Sequence, residues 1–549
     1  MTTRALFLLG LVAAPLGVHA QRSAAAFQKD VDAIFQPYTA TGSPGCIVGV
    51  DRPGVPFFAK GYGMANLEYD VPLTAQSISE SGSVAKQFTA AAVALLQLDG
   101  KLSLDDDIRK YLPEVPDFGA RITIRNLLTH TSGLRDQWAL LGLLGRGPGQ
   151  QVHTMDIILD LVTHQRELNF PPGSEYLYSN TGYVLSALIV QRVSGMPFAR
   201  FTTERIFKPL GMISTQWRDD YRRVVPGRAT AYNREEASWV QDMPFTMVHG
   251  NGGVLTTAAD LQKWNHALTD GLLGKPELTR LLETHMRLND GRTIDYALGL
   301  SVTPWTATVR EVSHSGATAG YRTFLARYPE AKTSISVFCN TSTANPVALG
   351  HRVVALILPQ PEVKMLAAVP ATAEVRSKLS GLYRDPLTDE SLTVSSAGDF
   401  LRSTGLASDT LREDGNGRYS TAAGSHLSFA PSDAHAQRLT MQSTDGATRV
   451  LEFAPQIESA SLKLADFAGS YRSPELGNTI VVRRDGARLF VRISPDDESP
   501  LSPLYPDGFR IGDSPYTLRF TRDGSGSIAG FRAFMGRARN VRFDRISTP

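Results

Sequence analysis

ESGSVAKQFTAAAVALLQLDGK, residues 80–101, decides how the rest of the chain is read. After Ser81, Gly82 and Ser83 the sequence enters a run rich in alanine and leucine, and one lysine, Lys86, interrupts it a single turn after Ser83. Ser83 opens the predicted helix, where backbone N–H groups are unpaired and the helix dipole is positive. Lys86 is three residues on and falls on the same face. Its helical neighbours Val84, Phe88, Ala91 and Leu95 are apolar, so desolvation should lower its pKa. A lysine near neutrality can take the proton of an adjacent hydroxyl and turn Ser83 into a nucleophile. Taken alone, S-x-x-K is a weak signal and reads better as a Ser N-cap followed by a snorkelling surface lysine.

Two further stretches favour chemistry. Tyr178-Ser179-Asn180 lies in the polar turn FPPGSEYLYSNTGY, just before an apolar helical run. The tyrosine could relay protons between the serine and a leaving group, and the Asn180 amide could bind a substrate carbonyl. The second, His314-Ser315-Gly316-Ala317, ends a predicted strand. Gly316 lets a substrate backbone approach the strand edge, and the Ala317 N–H can point at an oxyanion. Their bland counterparts are a loop tyrosine with an Asn N-cap, and an edge histidine in water.

The chain has 549 residues and a net charge of +2, so two or three domains are expected and nucleic acid is not. The opening MTTRALFLLGLVAAPLGVHAQ reads as a signal peptide over residues 1–20: Arg4 is the charged start, Ala5 to Val18 the apolar core, and Val18-His19-Ala20 the cleavage site. An exported protein, periplasmic or secreted, with no stable membrane span is expected. Cys46 and Cys339 are the two cysteines. Both lie in apolar strand-like runs and read as buried free thiols, with a disulfide between them the alternative. No H-E-x-x-H, C-x-x-C or Walker loop occurs, so no metal or cofactor is expected.

Strand-like runs CIVGVDRPG and VPFFAKGYG precede a helical middle, and ATVREVSHSG, YRTFLARYP and TSISVFCN follow it. One α+β domain over 21–360, its sheet completed by both ends, is the expectation. A linker over 361–375 should follow, then two all-β antiparallel barrel-like domains, 376–458 and 459–549. Their similarity rests on a weak repeat: GLYR at 381–384 matches GSYR at 469–472, and LSF at 427–429 matches LRF at 518–520. His130 in LTHTSGL reads as structural, satisfied by backbone. The apolar stretch Gln137 to Gln150 reads as a pocket lid or as a packed helix ending in a loop.

In this order, the motifs resemble the serine β-lactamases and penicillin-recognising peptidases. IRNLLTHTSGL at 124–134, GNGGVLTTAADLQKW at 250–264 and GATAGYRTFLARYP at 316–329 agree with the class C–type branch. The resemblance covers roughly residues 28–357. It implies a β-lactamase/transpeptidase-like catalytic domain in which Ser83 attacks a carbonyl and Lys86 with Tyr178 moves protons, either one being the base. Ser83 and Ala317 N–H groups would form the oxyanion hole, and Asn180 and His314 would position substrate. Where many β-lactamases carry K-T-G, this chain has His314-Ser315-Gly316, which puts efficient lactamase action in doubt and looks like the version of D-aminopeptidases. Two trailing barrels also resemble that layout, in which a loop of the second barrel can reach the site; Ser494 to Gly508 is the expected loop. The resulting reading is an acyl-serine hydrolase cleaving small peptides or amides with D-amino acids, cell-wall peptide among them. Its rivals are a carboxylesterase, a β-lactamase and a penicillin-binding protein without turnover.

Overall fold

The computed structural model describes residues 23–53, 55–360, 368–413, 417–422, 424–430, 435–443, 447–457, 461–494 and 497–546. The expected signal peptide and residues 361–367 of the expected linker lie outside these. Among the described residues no helix is long and apolar enough to cross a membrane.

The sheet of the catalytic domain contains β1 (Cys46–Arg52), β2 (Val55–Tyr62), β3 (Ser301–Pro304), β4 (Arg310–Thr318), β5 (Tyr321–Tyr328) and β6 (Thr333–Cys339). Their order is β3-β4-β5-β6-β1-β2, antiparallel throughout, so both ends of the domain complete one sheet as the sequence predicts. Side chains alternate between two covered faces. Val48, Val50, Phe324 and Val337 pack under the helices Ala24–Phe35 and Pro346–Val354. Ile47, Leu325 and Phe338 face the opposite layer, which includes helix Ala258–Asp270. A sheet buried on both faces explains why β6 is buried at every position.

Cys46 and Cys339 are directly opposed in the β1–β6 register and form a disulfide. The expectation of two free thiols is therefore corrected. Opposed residues in an antiparallel pair bring their Cβ atoms within bonding reach, and sequence alone does not reveal that register.

The quoted stretch becomes a short 3-10 turn, Gly82–Ala85, running into the helix Lys86–Leu98. Every residue from Lys86 to Leu96 is buried. Alanine on several sides lets neighbouring elements, including helix Asn180–Ser194, approach closely all round it.

The C-terminal half is all β after one helix, Ala373–Leu379, whose Val375 and Leu379 pack on the first β unit. That unit is a nine-stranded antiparallel sheet with Asp409–Thr410 at one edge and Arg412–Glu413 at the other. Only Leu411 separates these edges in the chain, so the sheet must curl into a barrel-like form, with buried Leu411 at the seam. Gly469 to Ile546 forms a closed barrel of eight strands. The repeat has a physical basis: Tyr383 donates to the Leu379 carbonyl and Tyr471 to the Phe467 carbonyl, each ring buried at the start of its unit.

The closed barrel is fused to the catalytic domain by a shared apolar cluster. Leu140, Leu141 and Leu143 of helix Gln137–Leu143 pack in it with Ile480, Val491 and Phe531 of the barrel. Arg135, wholly buried, pairs with Glu475 and donates to the Arg539 carbonyl. Arg539 in turn bonds Glu175 of the catalytic domain and Glu390 of the first β unit.

Candidate active site

Lys86 is fully buried beneath Ser83, and its Nζ has three neighbours at hydrogen-bond distance. Asn180 Oδ1 lies at 2.9 Å, the Asn251 carbonyl at 2.6 Å and Ser83 Oγ at 3.1 Å. Asn180 Oδ1 and the carbonyl can only accept, so they hold two N–H bonds of the amine. The third direction faces Ser83, and in the neutral amine a lone pair occupies it. Burial drives the Lys86 pKa well below its ordinary value, Arg537 adds to the fall, and Asp136 opposes it.

Tyr178 lies beside this pair, with Lys86 Nζ 4.8 Å from its ring centre. Its hydroxyl is buried and, among the described residues, makes no hydrogen bond of ordinary geometry, though the Ser83 hydroxyl is close enough to act on it. Burial raises its pKa well above the ordinary value, and the Ser83 hydroxyl works against that rise. His130 stacks on Tyr178 with ring centres 4.1 Å apart. Its Nδ1 accepts from the Ser179 N–H at 3.1 Å, which fixes the turn carrying Tyr178, while Nε2 has no partner among the described residues. Backbone thus satisfies half of this histidine.

The free edge of β4 forms the opposite wall. β3 pairs with β4 only through Arg310–Ser313, leaving residues 314–318 unpaired on that side. Gly316 is required there: a Cβ on it would come within 2.1 Å of the Ser81 carbonyl. Gly82 is equally constrained, with φ of +50° and a Cβ position 2.7 Å from the Ala317 nitrogen. The two glycines let the nucleophile turn and the strand edge touch, which places the Ala317 nitrogen beside the Ser83 turn. His314 is held neutral, its pKa pushed down to about 3 by burial and the Lys86 charge. Its Nε2 accepts from the Tyr296 hydroxyl at 2.9 Å, which leaves Nδ1 to donate to the Ser315 carbonyl at 2.5 Å.

Ser83, Tyr178, Asn180, His314, Gly316 and Ala317 all line one cleft of about 1240 Å³, and Lys86 lies directly behind Ser83. Sequence reasoning missed three participants: Asn251, Asp136 and Arg537. Asp136 Oδ2 accepts from both the backbone N–H of Asn180, at 2.7 Å, and its Nδ2, at 2.9 Å. That grip turns Asn180 Oδ1 toward Lys86 and leaves one Nδ2 hydrogen for a substrate carbonyl. Arg537 enters the cleft from the closed barrel, its guanidinium carbon 4.7 Å from the Tyr178 ring centre.

Among the described residues the barrel segment that lines the cleft is the turn around Arg537; residues 495 and 496 of the expected loop lie outside the described residues, and none of the rest of Ser494 to Gly508 lines it. Most of the latter, Asp497–Tyr505, is a barrel strand, and Tyr505 bonds Asp389 of the first β unit. The stretch Gln137 to Gln150 combines both expected forms. Its helix packs on the barrel, while Trp138, Pro148 and Gly149 line the cleft.

Comparison with known proteins agrees with this geometry. The chain is 32% identical to penicillin-binding protein 4* of Bacillus subtilis (strain 168) over 51% of its own length and 64% of that protein's. It is 26% identical to a D-aminopeptidase of Brucella melitensis over 94% of its length and 98% of that protein's. The octameric penicillin-binding protein homologue from Pyrococcus abyssi superposes with a TM-score of 0.55, at 24% identity, over 78% of this chain and all of that one. The family model described as Beta-lactamase matches residues 31–358, more than half of the sequence. The chain thus belongs to the beta-lactamase family, and it is a serine hydrolase.

Proposed function

We propose that this protein is an exported hydrolase that cleaves amide bonds next to D-amino acids through an acyl-serine intermediate. The observation that carries the reading is Lys86, buried, with two N–H bonds held by fixed acceptors and its remaining direction aimed at Ser83 Oγ. Neutral Lys86 takes the Ser83 proton as Oγ bonds to the substrate carbonyl carbon. The N–H groups of Ser83 and Ala317 receive the developing oxyanion. Tyr178 gives its phenolic proton to the leaving amine as the C–N bond breaks and takes in its place the proton held by Lys86, leaving an ester on Ser83 and both groups in their starting states. Water then attacks that ester, its proton returns through the Lys86–Tyr178 pair, and a carboxylic acid departs.

The similarity to a D-aminopeptidase along nearly the whole chain, barrels included, supports D-configured substrates. With a neutral imidazole at His314, that position supplies no cation for a β-lactam carboxylate. The Cys46–Cys339 disulfide supports export to an oxidising compartment, in line with the signal-peptide reading of residues 1–20.

The test is a small panel: D-alanine p-nitroanilide, acetyl-D-Ala-D-Ala and their L-counterparts, with native protein and Ser83→Ala. Cleavage of D-members, much slower cleavage of L-members and loss of both in the variant are expected. Folded protein that leaves every D-member intact would overturn the reading.

A further inference from the structure

The charged groups facing the cleft are not equally available. Arg218 is bound by Glu80 through both nitrogens, at 2.8 and 2.9 Å. Arg322 donates to the carbonyls of Ala319 and Tyr321, at 2.7 and 2.8 Å, while burial raises the pKa of Asp242 and the Arg322 charge opposes that rise. Glu311 is committed to Tyr328, Ser313 and His351. Arg537 differs from all of these. It is exposed toward the cleft and, among the described residues, takes part in no ion pair.

Its backbone is nevertheless firmly held. The Arg537 carbonyl accepts from the Asp136 N–H and from Asn169 Nδ2, both at 3.0 Å, and its N–H donates to the Met535 carbonyl at 2.8 Å. The guanidinium lies over the Tyr178 ring and, among the described residues, is in no ion pair, so its N–H groups remain available to a ligand. An oriented guanidinium with free edge donors matches the geometry of a carboxylate.

We infer that Arg537 is the specificity-determining residue of this site and binds a free carboxylate on the leaving-group side of the scissile amide. This rests on the proposed acyl-serine reading, in which Tyr178 delivers the proton to the leaving nitrogen. In a peptide with a free C-terminal residue, the α-carboxylate is two bonds from that nitrogen, so a cation stacked on Tyr178 is placed to meet it. The substrate class is then a short D-configured peptide cleaved before a C-terminal residue with a free carboxylate.

The reaction balances without a further reagent. Ser83 Oγ displaces the C-terminal amino acid, which leaves as an amine bearing its carboxylate, and water releases the acyl part as a second acid.

The experiment compares kcat/KM for acetyl-D-Ala-D-Ala and for acetyl-D-Ala-D-Ala-amide with native protein, Arg537→Met and Arg537→Glu. A charge-assisted bidentate contact should favour the free acid by about tenfold to a hundredfold in the native protein. That ratio should fall to about one in Arg537→Met and invert in Arg537→Glu, with the loss concentrated in the KM of the acid. Any effect of Arg537 on the Lys86 charge is common to both substrates and cancels in the ratio. Equal cleavage of acid and amide by native protein, or a ratio untouched by either variant, overturns the inference and leaves the acyl-serine reading standing. Failure of native protein to cleave any D-configured amide sinks both. Thermal unfolding of the variants excludes a folding defect, which this exposed side chain gives no reason to expect.

Discussion

Asp136 and Lys86 are joined through a single amide group. The Asp136 carboxylate grips both N–H functions of Asn180, and Asn180 Oδ1 accepts from Lys86. The carboxylate therefore acts on the lysine in two ways, by aiming its acceptor and by favouring its ammonium form across the gap.

That arrangement fixes the direction of two pH shifts. Lys86 works as a base only when neutral, so kcat/KM should rise as pH passes its depressed pKa, well below the ordinary lysine range. Asp136→Asn removes a charge that favours the ammonium, and its acidic limb should move to lower pH. Arg537→Met removes a charge that disfavours it, and the limb should move to higher pH. Shifts in the same direction would show that Lys86 is not the group being titrated. The complete pH–rate profile of each variant supplies the check.

Truncating Asp136 to alanine should cost stability as well. Its carboxylate accepts three hydrogen bonds, from the Asn180 N–H, Asn180 Nδ2 and the Trp138 N–H, all at buried or half-buried positions. Leaving those donors unmet should cost roughly 2–3 kcal/mol. Denaturant unfolding of Asp136→Ala against Asp136→Asn separates that loss from the charge effect.

Tyr178→Phe should behave in the opposite way. Among the described residues the buried hydroxyl makes no hydrogen bond of ordinary geometry, with only the Ser83 hydroxyl close by, so its removal should leave stability within about 0.5 kcal/mol of native. Activity should nonetheless fall by about 10²- to 10⁴-fold, the usual contribution of a positioned proton donor. A clear loss of thermal stability would assign the hydroxyl a structural part instead.

Reduction should weaken the catalytic domain. The Cys46–Cys339 bridge spans 293 residues of sequence, and cross-links of this kind typically contribute about 2–4 kcal/mol. The unfolding midpoint should drop on adding dithiothreitol. Cys46→Ser/Cys339→Ser protein should start from the lower midpoint and show no response to the reductant.

Ser83, Lys86, Tyr178 and the β4 edge were legible because each signals locally: helical spacing, a polar turn before a helix, a glycine ending a strand. Asp136 sends no such signal. Its Oδ1 accepts from the Trp138 N–H at 2.9 Å, an ordinary N-cap contact, and that local part conceals the second one. Arg537 is remote in sequence from every residue it faces, and no periodicity joins a barrel turn to a helix start. Ser494 to Gly508 misled because proline reads as loop. Pro500 and Pro503 sit instead within a barrel strand, opposite Phe490 and Phe509, with register shifts nearby absorbing the irregularity. The cysteines failed for a related reason: alternation gives the face of a strand but not its partner's offset.

Arg135 and Asp136 are adjacent in sequence, yet one side chain reaches into the closed barrel and the other into the catalytic amide network. The barrel is thereby not an interchangeable appendage. A chimera carrying a foreign barrel would have to import the Glu475 acceptor and the Arg537 turn as a pair. Without the first, a guanidinium is stranded in the interior; without the second, the cleft loses a wall. Recombination between relatives should accordingly tolerate a swap of the first β unit alone far better than any single crossover after the helical domain, which gives that domain and the barrel different parents.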